Sequence, residues 1–252
     1  MGSRERGSTR NWLLPTVIVA VLLNAWAVIF WMTGRRPNAF PSSAHARRHS
    51  SETRYVTPHQ LAASGAMSNH RLGPLIVMGD DGRRREWKEL AAARPVVVVF
   101  IKAGCMCSLE FEPFFHRMAR AYQGAVRFVG VIDGRVEMAR QYVESNHVPY
   151  LVLADPGSET ISRFRAKNGA YVALVTSGGT IDTLWPGCSA GMMHELGQRI
   201  ALLSGVEEQP VDTSGLPSVL TTGCPYKQEE LCDPICIPGL PSVSATGWPV
   251  AD

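Results

Sequence analysis

The sequence predicts an α/β domain built on a mixed sheet with flanking helices, and three observations predict it. Residues 94–104, RPVVVVFIKAG, carry a continuous β-branched run of the kind that forms a strand buried on both faces. Strand-like and helix-like stretches alternate after it, the pattern of an α/β domain. The alternation closes with two strand-like stretches joined by Ser177-Gly178-Gly179 and a final amphipathic stretch, which adds antiparallel pairing to the sheet.

Each element follows from its local pattern. GPLIVMGDDGRRREWKEL (73–90) is an apolar run, an Asp-Asp-Gly turn and a polar strand or helix start, hence a hairpin. Beyond the buried strand, Leu109, Phe111, Phe114, Phe115, Met118 and Tyr122 recur at helical spacing across 107–122. AVRFVGVID (125–133) reads as a strand and RVEMARQYVESN (135–146) as a helix. VPYLVLADP (148–156) reads as a strand ending in a turn, with Pro149 an ordinary strand-start proline, and GSETISRFRAKN (157–168) as helical. AYVALVTSGGTIDTLWPG (170–187) is the closing hairpin, and SAGMMHELGQRIALLS (189–204) the closing helix. Arg83-Arg84-Arg85 is a solvated charge run in the first hairpin.

Outside this block the composition changes. Residues 1–11 form a basic N-terminal segment. WLLPTVIVAVLLNAWAVIFWM (12–32) contains no charge and meets the ~20 apolar residues that a membrane-spanning helix needs. Residues 12–34 are therefore expected to anchor the chain as a transmembrane helix, in preference to a cleaved signal peptide, whose apolar core is only about 7–15 residues. Arg4, Arg6 and Arg10 precede that run while Arg35, Arg36, Arg47 and Arg48 follow it, so charge does not set its orientation. Residues 35–72 read as a linker and 73–204 as the domain. Residues 205–252, rich in Pro, Gly, Ser and Thr, read as a poorly structured tail that the domain does not need. The net charge of +3, with arginines scattered or flanking the apolar run, gives no case for nucleic acid, and six cysteines in 252 residues are too few for a disulfide scaffold.

The chemistry is expected at Ala103-Gly-Cys-Met-Cys-Ser108, where the buried strand hands over to a helix. A sulfur at a helix N-terminus meets unpaired backbone N–H groups and the positive end of the helix dipole, and both favour the reactive thiolate. Cys105 holds that place, with Lys102 near enough in sequence to assist if it points there. Cys107, two residues on, could close a small and exchange-active bridge. Glu110 and Glu112 lie close enough to carry protons, although first helical turns attract acids in any case. The alternative is that both cysteines are inert small side chains in the first helical turn.

In this order of elements the chain resembles the thioredoxin-like redoxins. The likeness is to the membrane-anchored thiol–disulfide oxidoreductases of the TlpA type and to the alkyl-hydroperoxide-reductase/thiol-specific-antioxidant group. It covers roughly residues 72–204, with PLIVMGDDGRRREWKEL similar to the opening hairpin of the family and LVTSGGTIDTLWPG to the closing one. In those proteins a proline follows the first active cysteine by eight residues, the spacing of Cys105 and Pro113. The resemblance implies a thioredoxin-like sheet, Cys105 as nucleophile and Ser108 where the second cysteine of C-x-x-C would stand. Cys107, one residue early, becomes the resolving thiol. It places Ala170 where the family carries a cis-proline. It also implies protein thiols or disulfides as substrates, no cofactor, and an extracytoplasmic, periplasmic domain tethered through residues 12–34.

Two other readings stand beside it. A peroxiredoxin-like thiol peroxidase would show P-x-x-x-T/S-x-x-C, but counting back from Cys105 gives Lys102 and Val98, and from Cys107 gives Gly104 and Phe100. A Cu(I)-binding or delivery protein could use Cys105 and Cys107 with His116, His147 or His194. Cys188, before the last helix, is thiolate-prone by position, but a structural or unpaired cysteine is the preferred reading of it. Cys224, Cys232 and Cys236 have no zinc-finger spacing and are additional redox or structural thiols.

Overall fold

The structure is a computed structural model, and it describes residues 55–226. The expected basic segment and anchor, most of the expected linker, and residues 227–252 with Cys232 and Cys236 lie outside the described residues. Among the described residues no helix is long and apolar enough to cross a membrane.

The chain forms α1 (Pro58–Gly65), β1 (Ile76–Gly79), β2 (Arg84–Glu86), α2 (Trp87–Ala91), β3 (Val96–Ile101) and α3 (Met106–Ala121). It continues through β4 (Arg127–Ile132), α4 (Val136–Asn146), β5 (Leu151–Ala154), α5 (Glu159–Arg163), β6 (Val172–Val175), β7 (Ile181–Trp185) and α6 (Ala190–Ser204). One mixed sheet runs β2-β1-β5-β4-β3-β6-β7. β3 lies parallel to β4 and β4 to β5, whereas β6 runs antiparallel to β3 and β7 to β6. The opening hairpin β1–β2 is antiparallel and joins the sheet through β5.

The Val-rich run is buried at all six positions because both faces of β3 are covered. Successive strand residues point to opposite faces. Val97, Val99 and Ile101 accordingly pack with Phe111, Phe115 and Met118 of α3 and Leu196 and Ile200 of α6. Val96, Val98 and Phe100 pack on the other side with Trp87, Leu90, Ile161 and Phe164. Two cores thus clamp β3, and its C-terminal end is where α3 begins.

Two boundaries differ from the sequence reading. Residues 55–72 belong to the domain, not to a linker. Thr57 and Gln60 cap α1 reciprocally, Met67 and Leu72 are buried, and Arg71 pairs with Thr180 beside β7. The Thr-Pro-x-Gln capping pattern was the available signal. Residues 205–226 form no helix or strand, as their composition suggests, yet they are a docked strap, not a loose tail. Val56 N donates to the Leu220 carbonyl at 3.1 Å, and Cys188 and Thr221 exchange backbone hydrogen bonds at 2.8 and 3.0 Å. Gln209 N donates to the Tyr122 hydroxyl at 2.9 Å. The helical reading of 157–168 shrinks to the five residues of α5.

Candidate active site

The turn between β3 and α3 is fixed by short-range bonds. Cys105 N donates to the Lys102 carbonyl at 3.1 Å, and Gly104 adopts φ 72°, where a side chain would be strained. Asp133, at the end of the neighbouring strand β4, accepts from Ala103 N at 2.7 Å and from the Lys102 ammonium at 2.5 Å. Lys102 therefore spends its charge on Asp133, and the expectation that it assists Cys105 directly gives way to a role in holding the turn. Asp133 was not singled out in the sequence, because its link to the turn exists only through strand pairing.

Cys105 is the N-cap of α3, with extended φ/ψ of −87° and 122°. Its sulfur is surrounded by donors. The strongest influence is the Cys107 thiol, followed by that of Cys224, and the backbone N–H groups of Cys224 and Ser108 add to them. Together they outweigh burial and hold the Cys105 thiol far below its ordinary range. Cys107 moves the opposite way. Beside an ionised Cys105, and next to Cys224, it is pushed well above the ordinary thiol range. The pair of shifts favours ionisation at Cys105 over Cys107.

The third thiol comes from the strap. Cys224 Sγ lies 2.9 Å from Cys105 Sγ, and Cys224 N points at the same sulfur at 3.4 Å. Only 4% of Cys105 is exposed under this cover. Sequence reading named Cys224 as an additional thiol without placing it. A contact across 119 residues of chain leaves no trace in local pattern.

The remaining residues sort by position. Ser108 is buried, and its hydroxyl accepts from Lys102 N at 3.1 Å, bracing the turn from the first helical turn of α3. Pro113 lies inside α3, where it withdraws the N–H that would bond to the Leu109 carbonyl. Ala170 leads into β6 with φ 63°, a left-handed conformation that costs a non-glycine residue about 1 kcal/mol or more. Its N–H donates to the Phe100 carbonyl at 2.8 Å, which ties it to the end of β3. Cys188 is fully buried, and burial alone pushes its thiol up to about 12. Its place before a helix therefore does not make it a thiolate: its backbone anchors the strap and its sulfur is core.

Glu112, one of the two acids near the cysteines, is buried and accepts from the Tyr142 hydroxyl at 2.7 Å and from the Tyr150 hydroxyl. It also lies 3.1 Å from His116 Nε2. His194 instead sits 3.1 Å from Glu208, and His147 is the left-handed C-cap of α4. Among the described residues, no group of three or more His, Cys, Asp or Glu side chains has the arrangement of a metal site.

No family model matches the chain. No curated protein matches it either. Solved structures do. An uncharacterized conserved protein from Geobacillus kaustophilus aligns at 16% identity over 65% of this chain and 93% of its own, with a TM-score of 0.52. A proposed protein disulfide isomerase from Bacteroides thetaiotaomicron aligns at 16% identity over 61% of this chain and 94% of its own, with a TM-score of 0.50. A proposed thiol:disulfide interchange protein DsbE from Chlorobium tepidum aligns at 17% identity over 55% of this chain and 98% of its own, also at 0.50. At these identities the likeness is one of fold. The domain has a thioredoxin-like fold, with Cys105 at the strand-to-helix junction.

Proposed function

We propose that the protein is a thiol–disulfide oxidoreductase acting on protein thiols or disulfides, with Cys105 as its nucleophile. The observation that carries this reading is the environment of one sulfur. Cys105 caps the helix that follows the central strand, and neighbouring thiols and backbone amides all donate to it. A thiolate stabilised in this way attacks a disulfide and leaves readily from a mixed disulfide. Cys107 supports it as the leading donor within the C-x-C pair. The fold likeness to proposed disulfide isomerase and interchange proteins supports the same reaction class.

The test is exchange with a model disulfide. The reduced protein should form a mixed disulfide at Cys105 and release one equivalent of thiol, and Cys105→Ser should do neither. Turnover that persists in Cys105→Ser would end this reading. Hydrogen peroxide and Cu(I) serve as the competing probes. Rapid peroxide consumption or tight stoichiometric Cu(I) binding, each without disulfide exchange, would favour the peroxidase or the copper-delivery reading instead.

The proposal includes a place of action. Residues 12–34 have the length and apolarity of a membrane anchor, and a disulfide at Cys105 persists chiefly in an oxidising compartment. Protease added to spheroplasts should digest the domain and leave a small N-terminal fragment. Full protection until the membrane is broken would put the domain inside.

A further inference from the structure

The strap brings its cysteine to the reacting sulfur through a contact that several separate features maintain. Gly169 N donates to the Cys224 carbonyl and Gly223 N to the Gly169 carbonyl, each at 2.9 Å. Asn168 Nδ2 donates to the Gly223 carbonyl at 2.9 Å, and Tyr226 N to the Lys167 carbonyl at 3.0 Å. The strap is thus pinned on both sides of Cys224 to the segment that leads into β6. Two glycines make the approach possible. A Cβ on Gly223 would stand 2.7 Å from the Gly169 carbonyl oxygen, and one on Gly169 would stand 2.9 Å from the Lys102 Cβ. Gly169 therefore lies directly against Lys102 and the Ser108 hydroxyl, and Gly223 against the Gly169 backbone, with no room for a side chain on either glycine. Upstream, the exchange of backbone bonds between Cys188 and Thr221 holds the strap at the start of α6.

We infer that Cys224, not Cys107, is the resolving thiol of Cys105. The inference rests on the oxidoreductase reading above and assigns its second half-reaction. The Cys105 thiolate attacks one sulfur of a substrate disulfide R–S–S–R′, forming Cys105–S–S–R and expelling R′S⁻. Cys224, its proton passing to the expelled thiolate, then attacks Cys105 Sγ. The Cys105–S–R bond breaks, the Cys105–Cys224 bond forms, and RS⁻ leaves with the proton that Cys105 first gave up. The substrate gains two electrons and the Cys105/Cys224 pair loses two. A dithiol reductant reverses both steps.

Geometry separates Cys224 from Cys107 in this role. A bridge between Cys105 and Cys107 would close a small ring across the N-cap and first turn of α3, where ring strain opposes it. A bridge to Cys224 joins two separate segments already held in register. With Cys105 only 4% exposed, the strap must yield to admit a substrate disulfide, and its return delivers Cys224 to the mixed disulfide.

The experiment uses the full chain purified in detergent, reduced, freed of reductant and treated with one equivalent of glutathione disulfide. Peptide mapping by mass spectrometry then follows thermal-unfolding checks that each variant is folded. The wild type should give a Cys105–Cys224 linked peptide. Cys224→Ser should accumulate glutathione on Cys105 and release the second glutathione at least tenfold more slowly. Cys107→Ser should still form the Cys105–Cys224 link. A Cys105–Cys107 link in the wild type, with Cys107→Ser as the variant that traps the mixed disulfide, overturns the assignment of Cys224 and leaves the oxidoreductase reading intact. A link from Cys105 to Cys232 or Cys236 does the same. Absence of any mixed disulfide in wild type and variants overturns the oxidoreductase reading itself, and this inference with it.

Discussion

Two junctions of this molecule share a plan and differ in chemistry. At the end of β3 and at the end of β7, a strand gives way through a short turn to a cysteine and then to a long helix, α3 or α6. At the first junction Cys105 is itself the N-cap, with thiols and amides around its sulfur, and its thiol is held low. At the second, Ser189 takes the cap, its hydroxyl accepting from Met192 N at 3.1 Å, and Cys188 turns into the apolar core, where burial pushes its thiol up. A helix N-terminus thus does not make a thiolate. Donors that reach the sulfur do, and desolvation without them works the other way. The strap touches both places, using the Cys188 backbone as an anchor and bringing its own thiol to Cys105.

The largest expected effect breaks the comparison at the sulfur. Cys105→Ser should reduce exchange with a model disulfide to the uncatalysed rate, whereas Cys188→Ala should keep most of the wild-type rate. Equal losses in the two variants would mean that position at a helix start matters and donors do not.

Removing the strap should come next. Truncation after Gly205 deletes the backbone bonds at Val56, Gly169, Cys188 and Tyr226 and uncovers Cys105. At about 1 kcal/mol net per buried hydrogen bond, the loss should be about 3 kcal/mol or more. That corresponds to a fall in Tm of about 6–12 °C for a domain of this size. An unchanged Tm would restore the reading of 205–226 as a dispensable tail.

How much of this was legible in the sequence follows from range. The buried strand, the helix after it and both hairpins are written in local periodicity, so β3, α3, β1–β2 and β6–β7 emerge where the pattern puts them. Cys105 is legible for the same reason: its place at a strand-to-helix junction is local. What decides its chemistry is not. Asp133 reaches the turn across a strand pairing, Glu112 meets Tyr142 and Tyr150 from other elements, and Cys224 arrives from far along the chain. The strap misled because composition reports the absence of helix and strand, which is correct, and says nothing of docking through backbone bonds. At Cys188 position near a helix start left two readings open, because sequence does not say which way the sulfur points.

The pH dependence of stability sharpens the same contrast. An ordinary thiol titrates near 9.0, and the folded value of Cys105 lies well below that. Between the two values the unfolded chain binds the extra proton. Stability from this group is therefore complete above about pH 9 and is lost as pH falls toward the folded value. The slope is at most about 1.4 kcal/mol per pH unit, and solvent screening reduces it. Cys188 and Cys107 shift upward, so their contributions act above pH 9 and with the opposite sign. Urea unfolding of the reduced protein at a series of pH values from 6 to 9 should therefore show stability rising with pH. Cys105→Ser should flatten that rise and Cys188→Ala should not. A rise that survives in Cys105→Ser would assign it to other groups.

The smallest expected effect distinguishes the two sites by what a hydroxyl finds there. Serine at position 105 would meet the N–H groups of Cys224 and Ser108 and the neighbouring thiols, all placed to donate to an acceptor. Its cost relative to the wild type is the loss of the thiolate's contribution, which is smaller at pH 6 than at pH 9 but not zero, because the folded value lies well below pH 6. Serine at position 188 would meet a core in which the original sulfur feels burial and nothing else. Placing a hydroxyl there without a partner should cost about 1–3 kcal/mol. Denaturant unfolding of both variants at pH 6 tests the pair together. If Cys188→Ser costs nothing, its sulfur has a donor or acceptor after all, and burial alone cannot be what separates the two junctions.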